Sequence, residues 1–392
     1  MPSIIDISFK ININVLCLAG LYLPDKFKSL YRVYTYLVYV FIVIPVPTLG
    51  CVYLLAQEKI TFRQIADNLF LIAELGCFIP KYWPLVRHAE RIKRCIHYFS
   101  APIFKTDRKE HQEILDDCIK VCHQWSAFYF ASVTAGFVSW SIRPISWENH
   151  ILPTDIWLPF DPHTASSAKV ASVYFYLVLV SGYDSFTSGA IDTLVPCLAY
   201  HATAQIKILK NNLQHLGEYV DEELASLEPC RKAQLTYQKI RQCVIHHEHI
   251  LAFVEEYEEC FSQVALSQFV GAVVIFCVSC LQLTIVEVVS LDFLAMMMYF
   301  IAMLCQVYLY CHFGTILYDE SDTISDAIYL SKWYEFDKRS KKALCILMER
   351  LKRPMTVTCG KIFTMSLVTF TMILRRAYSL LAVLENYNIE LN

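Results

Sequence analysis

Seven runs of apolar residues, near 33–55, 63–82, 125–146, 170–200, 264–289, 293–318 and 359–385, alternate with charged segments along the chain. Each is close to the ~20 residues a helix needs to cross ~30 Å of hydrocarbon, so the pattern predicts seven membrane-spanning helices in an all-α membrane protein. An odd number of spans puts the termini on opposite sides. Most lysines and arginines fall before the first run and in every second gap after it, whereas the other gaps hold few, Lys59, Arg143 and Lys169 among them. Basic residues in short loops stay cytoplasmic during insertion, so the N-terminus is expected inside and the C-terminus outside. The second run is the least apolar, because Asp67, Asn68 and Glu74 interrupt it.

The inside segments are long and helical in pattern. Residues 201–263 carry apolar positions three and four apart amid charges, as in Ile206, Leu209, Leu213 and Leu216, then Ile240 and Val244, with a break at Glu228-Pro229. This predicts two amphipathic helices extending spans four and five below the membrane. Residues 332–353 repeat the device, with Trp333, Phe336, Leu344, Leu347, Met348 and Leu351 on an apolar side, before Pro354 ends the helix. Residues 11–22 have the length of a signal-peptide core, but only Lys10 precedes them and no small-x-small site follows, so a short interfacial helix is expected.

Composition agrees with a membrane protein: 56% of residues are hydrophobic, 18% are charged, and the mean hydropathy is +0.39. A net charge of −3, with basic residues that track the membrane side, gives no nucleic-acid reader. Sixteen cysteines would suggest a disulfide framework, yet the expected outside segments 56–62, 147–169, 290–292 and 386–392 contain none. The thiols are therefore expected to be cytoplasmic or buried in the membrane.

Local patterns add little chemistry. His246 and His249 in the cluster HHEH stand one helical turn apart, as zinc ligands would, but no third ligand with metal spacing is evident, so they are expected on a helix surface. Cys277-x-x-Cys280 falls inside the fifth span, where thiols pack as small apolar residues. Asp184 and Asp192 in the fourth span would be costly in lipid and must face the protein interior or water, as part of a substrate or proton pathway or a structural pairing. No nucleophile elbow, phosphate loop, HExxH or carboxylate pair is present, so neither an enzyme nor a cofactor or metal is expected. A G-protein-coupled receptor would have its N-terminus outside. The third span ends at Ser141-Ile142-Arg143 instead of an acid-Arg-aromatic signature, and the seventh has no Asn-Pro-x-x-Tyr.

Four stretches in order resemble the insect odorant receptor family, the seven-span receptors that act as odorant-gated cation channels. LPTDIWLPFDP at Leu152–Pro162 is similar to its second outer loop, HHEHILAFVEEYEECFSQVALSQF at His246–Phe269 to the approach to the fifth span, and QVYLYCHFGTILYDES at Gln306–Ser321 to the exit from the sixth. Ala327 to Asn386 resembles the C-terminal cassette, with Trp333-Tyr334 before a basic helix, the Pro354 to Gly360 break, a Ser-Leu-x-Thr-Phe opening at Ser366 and a Tyr-Ser at Tyr378. The cytoplasmic stretch between spans four and five lacks the long insertion of the shared co-receptor, so the chain resembles a ligand-tuning subunit.

The resemblance implies a heterotetramer with the insect odorant co-receptor in the plasma membrane of an olfactory neuron dendrite. It divides the chain into a cytoplasmic N-terminal segment at 1–32, spans one to six with the ligand-binding bundle at 33–318 (cytoplasmic extensions at 201–263), an anchor helix at 319–358, and a pore-lining seventh helix with the extracellular C-terminus at 359–392. By position, Val383 and Tyr387 with Leu384 between them match the narrow hydrophobic gate, and Glu385 near the outer mouth would concentrate permeant cations. Arg375 and Arg376 lie deeper and are expected to pair with a neighbouring helix. The family's pocket for a small volatile odorant lies in the outer half among spans two, three, four and six. Here those halves hold Phe70, Val133, Gly136, Phe137, Trp140, Tyr174, Val178, Met296, Met297 and Phe300, with Gly136 expected to leave room beside the Trp140 indole. The alternatives are a gustatory-type receptor channel, with the same topology but without the Trp333-Tyr334 cassette, and a secondary transporter using Asp184 and Asp192.

Overall fold

Pro45 decides how the first long helix is built. It has no N–H and its ring crowds the carbonyl four residues back, so the chain cannot run through it as regular α-helix. Helix α3 (Lys28–Val38) therefore passes through one π turn at Tyr39–Val43 before α4 (Pro45–Ala56). The wider turn is closed by the Ile44 N–H donating to the Tyr39 carbonyl at 3.3 Å. The computed structural model describes residues 4–391 apart from 25, 57–61, 107, 143–151, 155, 163, 224–228 and 286–290.

Ahead of α3 lie α1 (Ile4–Ser8) and α2 (Lys10–Leu18), and after α4 come α5 (Phe62–Arg87), α6 (Ala89–Ile96), α7 (Lys109–Ser141) and α8 (Ser167–Gln214). They are followed by α9 (Leu216–Glu223), α10 (Pro229–Ile285), α11 (Leu291–Asp322), α12 (Ile324–Leu330) and α13 (Lys338–Leu351). A short hairpin of β1 (Thr358–Cys359) and β2 (Phe363–Thr364) then leads into α14 (Leu367–Leu391). Among the described residues each of the seven apolar runs lies largely on a helix, and those of spans three, four and five continue well past the run on the cytoplasmic side. The second amphipathic extension starts at Pro229, as expected, and Glu228, the other residue of the expected break, lies outside the described residues.

Among the described residues, three stretches are long and apolar enough to cross a membrane by length and composition: Lys28–Ala56, Arg231–Cys280 and Met296–Leu330. Helices α5 and α8 carry charged residues that are buried within the bundle, Lys81 on α5 and Asp184 and Asp192 on α8. Helix α8 is the axis of the bundle: α7, α11 and α2 all pack against it, and Ile191, Leu194, Val195 and Leu198 are fully buried there. Helix α10 packs along α5 and α14.

Three features differ from the sequence reading. Helix α2 does not lie free at an interface: Asn12 donates to the Ala190 carbonyl at 2.9 Å and to Thr193 Oγ1 at 2.6 Å, which ties the N-terminal helix to α8. The basic helix starts at Lys338 and not at 332, because the Asp337 carboxylate caps it by accepting from the Arg339 and Ser340 N–H groups. The seventh helix likewise starts at Leu367, not 359. Residues 360 and 361 both have positive φ, at +60° for Gly360 and +59° for Lys361, which turns the chain sharply into the hairpin. The Gly360 N–H donates to Ser262 Oγ at 2.7 Å, anchoring that hairpin on α10.

Candidate functional site

Lys81, on α5, meets Asp192, on α8, in the centre of the bundle, and neither is more than 1% exposed. The ammonium has three hydrogens and uses all of them: Asp192 Oδ2 at 2.6 Å, Ser188 Oγ at 2.8 Å and Gln268 Oε1 at 2.8 Å. Asp192 also accepts from Ser188 at 2.8 Å, from the Tyr310 hydroxyl at 2.9 Å and from the Gln306 amide. Four helices, α5, α8, α10 and α11, are thus joined through one compensated charge pair. A lone charge in this position would be costly, so pairing is what lets ionised groups stand at membrane depth. Of the two acids read from the sequence, Asp192 is therefore the structural one. Asp184, two turns outward, is fully buried, and neither of its carboxylate oxygens has a hydrogen-bond partner among the described residues.

Outward of this network, α7 and α8 pack through aromatic rings set against glycines. The Phe137 ring lies 3.1 Å from where a Cβ on Gly182 would stand, and 5.8 Å from the Phe186 ring in an edge-on arrangement. Val133 and Tyr129 pack in the same way on Gly189, at 3.5 and 3.4 Å. The Tyr174 hydroxyl donates to the Ser141 carbonyl at 2.8 Å, which closes the outer end of the helix pair. Val178, Met296 and Met297 are half-buried, and Phe300 stands edge-on to Phe276, 5.5 Å away. Gly136 is exposed, with nothing among the described residues within 4 Å of a would-be Cβ, and Trp140, one turn further on, packs on the core. The side chain of Phe70 lies outside the described residues.

Helix α11 connects this region to the seventh helix. Gln306 and Tyr310 turn toward Asp192, whereas Tyr308 turns the other way, onto Phe370 of α14 with ring centroids 5.8 Å apart. Thr315 accepts the Leu367 N–H at 3.0 Å, which fixes the start of α14 on the same helix. Gly314 leaves the space: a Cβ there would stand 2.2 Å from the Met365 carbonyl oxygen. Val383, Leu384, Glu385 and Tyr387 occupy the last turns of α14, and their side chains lie outside the described residues. Arg375 and Arg376 are both exposed on the single chain, with Ile373 and Ala377 buried beside them.

On the cytoplasmic side, Arg91 clamps α6 to α10. Its guanidinium reaches Glu256 at 2.6 and 2.7 Å and also bonds Glu259, and it holds the Glu256 carboxyl below the usual carboxylate range. The histidines expected on a helix surface are mostly inside: His246 is 8% exposed and His247 5%, with only His249 outward. Phe104 packs edge-on to His246, and Phe99 joins it to Phe253 of the same helix, a cover the local spacing could not show. Burial lowers both imidazoles to about 4, with His111 adding to the effect on His246 and Arg350 to that on His247. His246 bonds Gln205 at 3.1 Å. Two cavities open here, one of about 390 Å³ beside Arg108, Tyr219 and His246 and one of about 240 Å³ beside Glu110, Asp117 and Cys118.

The sequence reading missed Lys81, Gln268, Gln306 and Tyr310. Lys81 carried a usable signal, since a lysine inside a run already known to sit in the membrane needs an acidic partner on another helix. Gln268 and Tyr310 carried none, because which faces meet is decided by packing.

Residues 61–378 match the model of a family described as 7tm Odorant receptor. Odorant receptor Or1 of Anopheles gambiae is 24% identical over 345 residues, covering 84% of this chain and 82% of that protein. Odorant receptor 22c of Drosophila melanogaster is 24% identical over 342 residues, covering 82% and 83%. The insect olfactory receptor OR5 from Machilis hrabei, solved in complex with eugenol, shares the fold with a TM-score of 0.79 at 15% identity, over 96% of this chain and 97% of that one.

Proposed function

The chain belongs to the seven-transmembrane odorant receptor family, and from that premise we propose that it is a ligand-tuning subunit that binds a small volatile molecule and opens a cation pore with the odorant co-receptor. It is a receptor of the membrane and not an enzyme. The observation that carries the finer reading is the layered interior: a closed polar floor at Lys81–Asp192 beneath aromatic packing by Phe137, Phe186 and Phe300. A floor that ties four helices together through a compensated charge pair leaves the outer half to ring packing beside the buried Asp184 carboxyl, which suits a ligand recognised chiefly by shape and dispersion.

Burying ~200 Å² of a volatile molecule supplies roughly 5 kcal/mol at ~25 cal/mol per Å². Moving a two-state pore from 1:99 to 99:1 open takes ~5.5 kcal/mol of differential affinity, so a single such site is marginal and several subunits must share the work. Helix α11 is the element suited to transmit it, since it contacts the polar floor on one side and α14 on the other. A small outward shift of α14 would then hydrate the apolar gate at Val383, Leu384 and Tyr387, with Glu385 drawing cations to the mouth.

Phe137→Ala tests the pocket. Losing one ring contact worth about 1.4 kcal/mol should raise the half-maximal concentration of the best odorant about tenfold and shift tuning toward bulkier ligands, with maximal current retained. Unchanged dose–response curves across a panel that activates the parent would remove Phe137 from the pocket.

A further inference from the structure

Three metal-ligating side chains meet where α7 and α8 cross below the aromatic layer, a fourth thiol lies against one of them, and the receptor reading uses none of these groups. The helices run antiparallel, as the pairings of Tyr174 with Ser141, Gly182 with Phe137 and Gly189 with Tyr129 show. In the same register Cys118 and Cys122 stand one turn apart on α7, facing Cys197 and His201, one turn apart on α8. The sulfurs of Cys118 and Cys122 and a ring nitrogen of His201 all lie within 4.8 Å of one another. The three residues are at most 2% exposed. Cys197 is also buried, its thiol touches that of Cys122, and its carbonyl lies 3.9 Å from the Cys122 sulfur.

Buried cysteines are ordinarily inert packing, so the donor set needs independent support. The first support is the histidine's second nitrogen. His201 Nε2 lies 3.1 Å from the Ser8 hydroxyl, and the Phe9 ring packs 5.3 Å from the imidazole. An imidazole held at one nitrogen by a polar partner presents the other as ligand, which is the usual second shell of a metal-bound histidine. The second support is access. The cavity of about 240 Å³ is lined by Cys118 together with Glu110, Glu113 and Asp117, against the single ammonium of Lys207. A cation has a route to the thiols through a mouth of its own counter-charge.

We propose that Cys118, Cys122, Cys197 and His201 form a zinc site that staples the cytoplasmic ends of the third and fourth spans and, through Ser8, the N-terminal helices. Three thiolates and one imidazole in tetrahedral array make a closed structural set, and soft thiolates select zinc over magnesium or calcium. Binding releases the thiol protons and forms Zn–S and Zn–N bonds without any redox change. The inference does not depend on which ligand opens the channel.

The test uses the full-length chain purified in mild detergent without chelator, with zinc measured by elemental analysis against protein concentration. The expected result is about one zinc per chain. Cys118→Ser and Cys122→Ser should lose it while still eluting as a monodisperse peak, and Cys345→Ser, at an exposed thiol outside the cluster, should keep it. Ser8→Ala should weaken zinc affinity about tenfold or more by removing the histidine's orienting partner. If the cysteine variants fail to fold, cobalt added to the metal-stripped parent decides. Visible bands of tetrahedral cobalt with near-ultraviolet thiolate charge transfer support the site, and in Cys197→Ser the charge-transfer intensity should fall with the lost thiolate. A folded parent with neither zinc nor cobalt bands, or zinc content unchanged in both cysteine variants, overturns the proposal.

Discussion

Replacing Lys81 by methionine removes one partner from a charge pair that has no access to water. The ammonium accounts for three hydrogen bonds of 2.6 to 2.8 Å, and its loss leaves the Asp192 carboxylate with Ser188, Gln306 and Tyr310 as donors but with no compensating charge. Breaking a buried pair from one side costs about 3–5 kcal/mol, most of it the penalty of the stranded charge. Spread over 392 residues, an unfolding entropy of about 2.1 cal/mol/K per residue converts that to a drop of roughly 4–6 °C in melting temperature. Asp192→Asn alone should cost a similar amount by stranding Lys81. The double variant Lys81→Met with Asp192→Asn has no charge left, and the asparagine can still accept from Tyr310, so it should recover about half of the summed loss or more. The assay is a thermal melt of the detergent-solubilised chain followed by size-exclusion fluorescence, run as a double-mutant cycle. A Lys81→Met melt within about 1 °C of the parent, or single losses that simply add in the double variant, would refute the pairing as the centre of the bundle.

Acid should loosen the cytoplasmic helices. His246 and His247 titrate at about 4 when folded, against 6.5 for a free imidazole, so the unfolded chain binds protons first. Their contribution is intact above pH ~6.5 and is lost as pH falls toward 4, about 2 kcal/mol for each at pH 5. His247→Gln should flatten the melting temperature between pH 7 and pH 5. Gly314→Ala places a methyl group 2.2 Å from the Met365 carbonyl, and overpacking of that kind costs about 1–3 kcal/mol. It should displace the start of α14 from α11 and lower the odorant-evoked current per channel at the surface, whereas Gly76→Ala, with open space around it, should leave the current unchanged.

Most of the helical plan was legible because apolar runs and basic loops report on the bilayer, which acts on every residue alike. Among the described residues each of the seven runs lies largely on a helix, and the buried acids at 184 and 192 face inward as their cost in lipid demands. The failures have local causes. The start of the seventh helix was misplaced because Cys359 and Phe363 are apolar, yet Gly360 and Lys361 turn the backbone over. The HHEH cluster reads as exposed by its charge pattern and is buried by an aromatic patch drawn from elsewhere in the chain. Gly136 and Trp140 do share a helix face one turn apart, but the indole leans onto the core while the glycine meets no described neighbour, which spacing along one helix does not reveal. Helix faces of equal hydropathy cannot be told apart without their partners, which is also why Cys118, Cys122, Cys197 and His201 escaped notice as a group.

Whole-cell current in cells expressing this chain with and without the insect odorant co-receptor, under a panel of volatile alcohols, esters, aldehydes, terpenes and aromatics, tests the central claim most directly. The account predicts a non-selective cation current that needs both chains and an odorant, and whose tuning follows this chain when Phe137 is changed. Silence across the panel with the chain verified at the cell surface, or currents of the same tuning from the co-receptor alone, would contradict it.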